Sequence, residues 1–273
     1  MRVFIGSAII AVSITKKKTL MKQIITDELW HVIQNCIPTQ KTKVGRPHTD
    51  YRQALNGIAY VLRNGIYWHH MPKEFGKPST IHGIFMKWTR AGIFTAIYNQ
   101  IRSAYQAKNI DNNWYAIDTS SKKAPFANAK FAGNNPTDRR KKGIKQGFVV
   151  DRKGMPVMLL LAPANVYDST LLEPLLEEWE WQEVIRIVAA DAAFDVKKLR
   201  AFCKKKNIAL MAVTNPRRNK KLRKTKIPYR WVIERTIGWL SWYRGIKTCW
   251  AKLLESHLSF LQLACSIQIF RSL

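Results

Sequence analysis

Trp114-Tyr115-Ala116-Ile117-Asp118 is the stretch on which the fold turns: four aromatic and aliphatic residues suited to a buried strand, closed by a carboxylate. A second apolar run, Val184-Ile185-Arg186-Ile187-Val188-Ala189-Ala190-Asp191, ends the same way. The chain carries 46 Lys and Arg against 18 Asp and Glu, so acids that finish buried strands need a reason to be there. If the two strands are neighbours, carboxylates 73 residues apart (191 minus 118) converge at the carboxyl ends of a sheet, where open mixed sheets place their ligands. Two ionised carboxylates at that range repel each other unless a divalent cation neutralises them. Magnesium suits the place, because it takes oxygen ligands, keeps waters and accepts phosphate oxygens.

Simpler roles stand beside this one. Asp118-Thr119-Ser120-Ser121 also suits a turn, and Asp191-Ala192-Ala193-Phe194-Asp195 also suits a helix start. There Asp195 is the expected N-cap, which leaves Asp191 for chemistry, and Asp168 is expected to cap the helix that follows it. Asp138 is ambiguous.

Outward from Asp118, residues 147–150 and 155–161 are further strand-like runs, separated by the hairpin turn Asp151-Arg152-Lys153-Gly154. With the first strand they predict an antiparallel meander. Helix (169–181), strand (184–190), basic amphipathic helix (196–206) and strand (208–213) follow, which predicts an α/β mixed sheet with helices on its faces. A basic loop, 215–226, leads into a helix containing Tyr229-Arg230-Trp231-Val232-Ile233-Glu234-Arg235-Thr236, and a last apolar helix covers 257–270. On the first of these helices Val232, Thr236, Trp239 and Tyr243 share one face, with Glu234, Arg230 and Ser241 opposite. The glutamate side faces either water or a cleft, and Arg230, one turn earlier, pairs with Glu234 or holds a phosphate.

Upstream the periodicity is helical. Thr26-Asp27-Glu28 is a capping pattern, residues from Asp50 to Gly65 carry helical apolar spacing, and Pro78-Ser79-Thr80 starts another helix. Three or four short helices form a small bundle. The expected division is an extension over 1–20, a helical DNA-binding domain over 21–110 and the sheet domain over 111–273.

Composition fixes the partner class. In 273 residues 47% are apolar, enough for a core, while the net charge of +28 points to a polyanion. Nucleic acid is favoured over an anionic membrane surface, and ten tryptophans set the chain apart from ribosomal-type basic proteins. Cys36, Cys203, Cys249 and Cys265 lack close pairing, which excludes a zinc knuckle or a disulfide scaffold and suits a reducing, cytoplasmic setting. The apolar run over 3–14 is too short to span a bilayer and has basic residues on the wrong flank for export, so Met21 is the expected working start. Arg139, Arg140, Lys141, Lys142 and Lys145 form one basic cluster, and Arg217, Arg218, Lys220, Lys221, Arg223, Lys224 and Lys226 another. Both are expected to contact the DNA backbone. Trp114, Trp231, Trp239, Trp242 and Trp250 are expected mostly in the core.

Asn135-Pro136-Thr137-Asp138-Arg139, Lys142-Gly143, Lys145, the turn from Asp151 to Pro156, Ala164-Asn165 with Asp168, Ala190-Asp191, Arg230-Trp231-Val232-Ile233-Glu234-Arg235-Thr236 and Leu263-Ala264-Cys265 together resemble transposases of bacterial insertion sequences. The resemblance is to the DDE type, in the insertion sequence five branch of the larger insertion sequence four superfamily, and runs from about Leu29 to the C-terminus. It implies a ribonuclease-H-like catalytic domain whose triad falls on Asp118, Asp191 and Glu234, holding Mg2+ or Mn2+ for cleavage and joining of DNA strands. It also implies double-stranded DNA partners, terminal inverted repeats and target, gripped by Arg139, Arg140, Lys142, Lys145, Arg217, Arg218 and Arg230, with a homodimer in the DNA complex and no stable membrane association. The chain departs from the family signature in places: Ser241 stands where lysine is expected, Ile227 where tyrosine is expected, and Ala192-Ala193-Phe194 where Lys-Gly-Tyr is common. These positions are thought to handle DNA ends. A domesticated or inactive DNA-binding protein on the same fold is the alternative, against which the three retained carboxylates speak.

Overall fold

A computed structural model describes residues 23–39, 49–109, 113–177, 185–212 and 227–273. The expected extension over 1–20 and the basic loop with Arg217 and Arg218 lie outside these residues.

Four helices open the described chain. α1 (Asp27–Ile33) is capped by Thr26, whose hydroxyl accepts from the Leu29 amide at 3.3 Å. α2 (Tyr51–Asn64) starts on Asp50, whose carboxylate accepts from the Arg52 amide at 2.9 Å, and stops on Gly65 at φ 63°. α3 (Pro78–Arg90) uses Pro78 in its first turn, and Gly92 at φ 69° separates it from α4 (Ile93–Ala107).

The sheet begins with β1 (Trp114–Lys123), then the two-residue β2 (Gly133–Asn134), β3 (Lys142–Asp151) and β4 (Pro156–Pro163). β5 (Ile187–Ala190) and β6 (Ala209–Ala212) complete it, with α5 (Leu172–Glu177) and α6 (Lys197–Lys205) as crossover helices. α7 (Trp231–Leu240), the short α8 (Arg244–Lys247) and α9 (Leu254–Phe270) close the chain. β1, β3 and β4 form the expected antiparallel meander, and β5 and β6 add parallel strands on the other side of β1. Three antiparallel strands followed by two parallel ones, flanked by helices on both faces, is the mixed ribonuclease-H-like sheet that was expected.

Strand alternation divides the core. Trp114, Ala116, Phe148, Val150 and Ala189 face a cluster shared with α4, α7 and α9, whereas Tyr115, Ile117, Val149, Val188 and Ala190 face α5 and α6. The first cluster is continuous from Ile25 on the N-terminal side to Ile269 in α9, across residue 110. Cys36, Cys203, Cys249 and Cys265 are all free. Among the described residues no helix is long and apolar enough to cross a membrane.

Candidate active site

Asp118 sits where β1 loses one neighbour. Parallel pairing with β5 ends at Ala116↔Ala189, and two residues further along each strand lie Asp118 and Asp191 (118 minus 116, 191 minus 189). The carboxylates are therefore matched in register at the mouth of the parallel pair. By alternation Asp118 shares the face of Trp114 and Ala116, the face covered by α7. β1 itself does not end there, contrary to the expected strand-end position. Antiparallel pairing with β3 carries it to Lys123↔Gly143. The continuation, Thr119-Ser120-Ser121-Lys122-Lys123, is polar, so pairing rather than burial keeps it extended.

Asp118 Oδ1 accepts from the Thr119 amide at 2.7 Å. Its carboxyl is pushed up to about 6: burial is the main cause, the negative charges of Asp191 and Asp168 add to it, and the Thr119 amide and the Arg230 guanidinium act the other way. Asp191 Oδ1 accepts from the Ala193 amide at 2.6 Å and caps the short turn Ala192–Phe194. The roles expected for Asp191 and Asp195 are thus partly exchanged. Asp195 does not cap α6, which starts on Val196 without a side-chain cap; it pairs with Arg200 at 2.7 Å.

Glu234 lies in the first turn of α7 and is held by Arg230 Nη2 at 2.6 Å. Arg230 acts electrostatically on Asp118 as well as pairing with Glu234, so one guanidinium is within electrostatic reach of both. The helix is fixed to the β3–β4 turn: Arg235 Nη2 donates to the Lys153 carbonyl at 2.6 Å, and Thr236 Oγ1 lies 2.6 Å from the Gly154 carbonyl. Arg235 is also sandwiched between Trp231 and Trp239, at 4.7 and 4.4 Å from the ring centres. The structure brings Asp118 and Asp191 together and leaves Glu234 on Arg230. Among the described residues no three His, Cys, Asp or Glu side chains gather closely enough to hold one metal ion.

The basic residues divide. Arg139 and Arg140 both adopt positive φ, 50° and 56°, in a turn pinned by the Arg140 amide on the Asn135 carbonyl at 3.0 Å, and their side chains are exposed. Lys142 is half-buried at the start of β3. Lys145 is turned inward, bound to the Val166 carbonyl at 2.6 Å and to Asp168 at 2.8 Å. Asp168 also accepts from Thr119 Oγ1 at 2.5 Å. Asp168 is therefore not the expected helix cap; its carboxylate ties the loop after β4 to the residue following Asp118. This Lys145–Asp168–Thr119 link is the part of the site that sequence reading missed, although both charged residues were among the quoted motifs. Of the tryptophans, Trp114 is core as expected, but Trp231, Trp242 and Trp250 are exposed.

The donor chemistry fits a small divalent cation. Two hard-oxygen carboxylates, close enough for one to raise the pKa of the other, match an ion that takes one or two protein carboxylates and completes its shell with water and substrate phosphate.

Residues 25–98 match a family model described as "Putative transposase of IS4/5 family (DUF4096)", and residues 113–269 match "Transposase DDE domain". A Burkholderia cepacia protein named "Putative transposase for insertion sequence element IS402" is 31% identical over 150 residues, 52% of this chain and 69% of that one. "Insertion element IS402 uncharacterized 16.2 kDa protein", from the same organism, is 32% identical over 127 residues, 44% of this chain and 86% of that one. Among solved structures, "Mos1 transposase paired-end complex with left transposon end" aligns over 77% of this chain and 79% of that one, at 10% identity and a TM-score of 0.29.

Proposed function

This chain belongs to the transposase DDE domain family, and on that premise we propose that Asp118, Asp191 and Glu234 are the carboxylates with which it cleaves and joins DNA strands. The observation that carries this reading is the register match of Asp118 and Asp191 on the α7 side of the sheet. The DDE domain implies divalent metal use, and Mg2+, or Mn2+ in its place, is the ion this oxygen donor set favours. When bound, such ions lower the pKa of the attacking water or 3′ hydroxyl and stabilise the leaving 3′ oxygen of an in-line displacement.

The chain's own residues supply the rest. Asp118 and Asp191 hold the site open at the notch between β1 and β5. Arg230 takes a backbone phosphate of the incoming strand, which releases Glu234 from its ion pair to complete the triad. Arg139 and Arg140, displayed on a fixed turn, and Lys142 at the strand entry hold the DNA backbone, and Arg217 and Arg218 do the same. Lys145 fixes Asp168 and, through it, Thr119 beside the reacting carboxylate. The helices over 21–110 read the terminal inverted repeats, and two copies of the chain bridge the two ends, in the cytoplasm and on the chromosome.

The test uses duplexes carrying the inverted repeats that border the gene, with Mg2+, Mn2+ or a chelator. Asp118→Asn and Asp191→Asn are each expected to abolish strand cleavage in either metal while DNA affinity in chelator stays within about twofold, a change of roughly 0.4 kcal/mol. Purified variants that still cut at the repeat end would overturn the assignment.

A further inference from the structure

We propose that the pocket formed by Arg63, Tyr243 and Arg271 is a second phosphate-binding site, which grips a DNA backbone phosphate away from the carboxylate notch. The proposal rests on the reading of this protein as one that acts on DNA.

The pocket is a cavity of about 330 Å3 where three elements meet: the last turn of α2 gives Arg63, the bend between α7 and α8 gives Tyr243, and the end of α9 gives Arg271. Trp239 and Trp242 complete one wall, and Trp242 is 81% exposed. Tyr243 is only 5% exposed, yet its hydroxyl has no hydrogen-bond partner among the described residues. Both guanidinium groups act electrostatically on that hydroxyl. No ion pair engages Arg63 or Arg271 among the described residues.

A blander account is available for the arginines alone. Each stands at a helix C-terminus, where a cation offsets the macrodipole. That account leaves the phenol without a purpose, since a buried hydroxyl is normally paired. The charge balance also favours an anion: two helix ends contribute roughly −0.5 each, against two full positive charges, leaving about +1 facing the cavity. Two guanidinium forks are complementary to the acceptor oxygens of a phosphodiester, and the Tyr243 hydroxyl, closed off from the cavity before binding, joins them as a third donor by a small turn of its side chain. The exposed face of Trp242 lies beside them for the adjoining sugar or base.

The experiment is a methylphosphonate scan. Single backbone phosphates of the repeat-end duplex are neutralised one at a time, and affinity is measured in chelator for wild type, Arg63→Gln/Arg271→Gln and Tyr243→Phe. Wild type is expected to lose about tenfold at one phosphate outside the scissile step, and the double variant to bind about tenfold more weakly and to ignore neutralisation there. Its plot of log affinity against log salt is expected to flatten by about 0.9, the share of one phosphate. Tyr243→Phe, which keeps the ring and its packing, should show a smaller loss at the same phosphate. The proposal is overturned if the double variant, with a thermal transition like wild type, keeps the wild-type salt slope and scan profile, or if inorganic phosphate competes while the scan shows no position-specific loss. The scan is read in chelator, where no strand is cut, so a failure of the carboxylate assignment leaves its profile unaltered and the two failures stay distinguishable.

Discussion

At the scale of single residues, the central fact is that Asp118 is held beside another acid inside a protein with 46 basic side chains. Its carboxyl titrates near 6 in the fold and near 3.9 in the unfolded chain. Between those values the native state keeps a proton that the unfolded state has lost, so stability falls as pH rises from about 4 to about 6 and stays low above that. Two pKa units are worth at most about 2.7 kcal/mol, and solvent screening at a half-buried site reduces this to about 1–2 kcal/mol. Asp118→Asn is therefore expected to be inactive but more stable than wild type at pH 7 by about that amount, and no more stable at pH 4. Mg2+ should raise the wild-type melting temperature at pH 7 and leave the variant's unchanged. Thermal unfolding at the two pH values with and without Mg2+ measures both, and a variant no more stable than wild type at pH 7 would show that burying the Asp118 charge carries no such cost. Asp118 and Asp191 were legible in the sequence because an apolar run closed by an acid is conspicuous in so basic a chain. Asp168 was not, because an acid before a helix reads as a cap, and only the fold shows its Oδ1 shared by Lys145 and Thr119.

At the scale of elements, the proposed site depends on how α7 is seated, since that helix carries Glu234 and starts on Arg230. Its seat is the β3–β4 turn. Gly154 has φ 87°, and a Cβ there would stand 2.8 Å from Thr236 Oγ1 and 2.9 Å from both Arg235 Nη2 and Val232 Cγ1. The turn is thus closed against the helix with no room for a side chain. Thr236 is fully buried and shares its one proton between the Gly154 carbonyl at 2.6 Å and the Val232 carbonyl at 3.0 Å. Thr236→Val removes that proton while keeping the shape, and is expected to cost about 1–2 kcal/mol for the unpaired buried carbonyl. Gly154→Ala adds a clash to an unfavourable backbone angle and should cost more, about 2–4 kcal/mol. Both are expected to slow cleavage more than they weaken DNA binding. A Gly154→Ala protein with wild-type melting temperature and cleavage rate would show that α7 is not held from this turn. The turn itself was readable, as was every strand with an apolar stretch. The polar halves of β1 and β3 were not: Lys145 and Gln146 are buried yet hydrophilic, because Lys145 pairs with Asp168 and Gln146 bonds to the Ile246 carbonyl and His257. Such burial is decided by partners far away in the chain, which no local periodicity records.

At the scale of the whole molecule, α9 joins what the sequence divides. It is apolar around most of its circumference, as a helix buried on all sides must be. It lies against α2, α3 and α4 on one side and against β4, α7 and α8 on the other, and it is tied to α4 by the Thr95–Gln262 hydrogen bond at 3.0 Å. Three of the polar residues it buries are paired: Gln262 with Thr95, Ser266 with its own helix, and His257 with Gln146, with the imidazole pushed down to about 4 by burial and by the nearby Lys122. The composition boundary near residue 110 is therefore crossed by one hydrophobic cluster. Removing residues 21–110 would bare the side of α9 that α4 covers, including surface against Ile97 and Ile101, each fully buried in the intact chain. Burying each such side chain is worth about 1.5–3 kcal/mol, and a domain is stable by only about 5–15 kcal/mol in total, so losing a few of these contacts exhausts the margin. A fragment of residues 111–273 is expected to bind a hydrophobic dye, to lose its near-ultraviolet circular dichroism and to unfold without a cooperative transition. Co-expression with residues 21–110 should restore both the dichroism and the transition, in a complex that purifies as one species. If 111–273 alone instead melts cooperatively with native near-ultraviolet dichroism, then α9 belongs to the sheet, and the helices over 21–110 are a separate reading head that turns freely on the catalytic body.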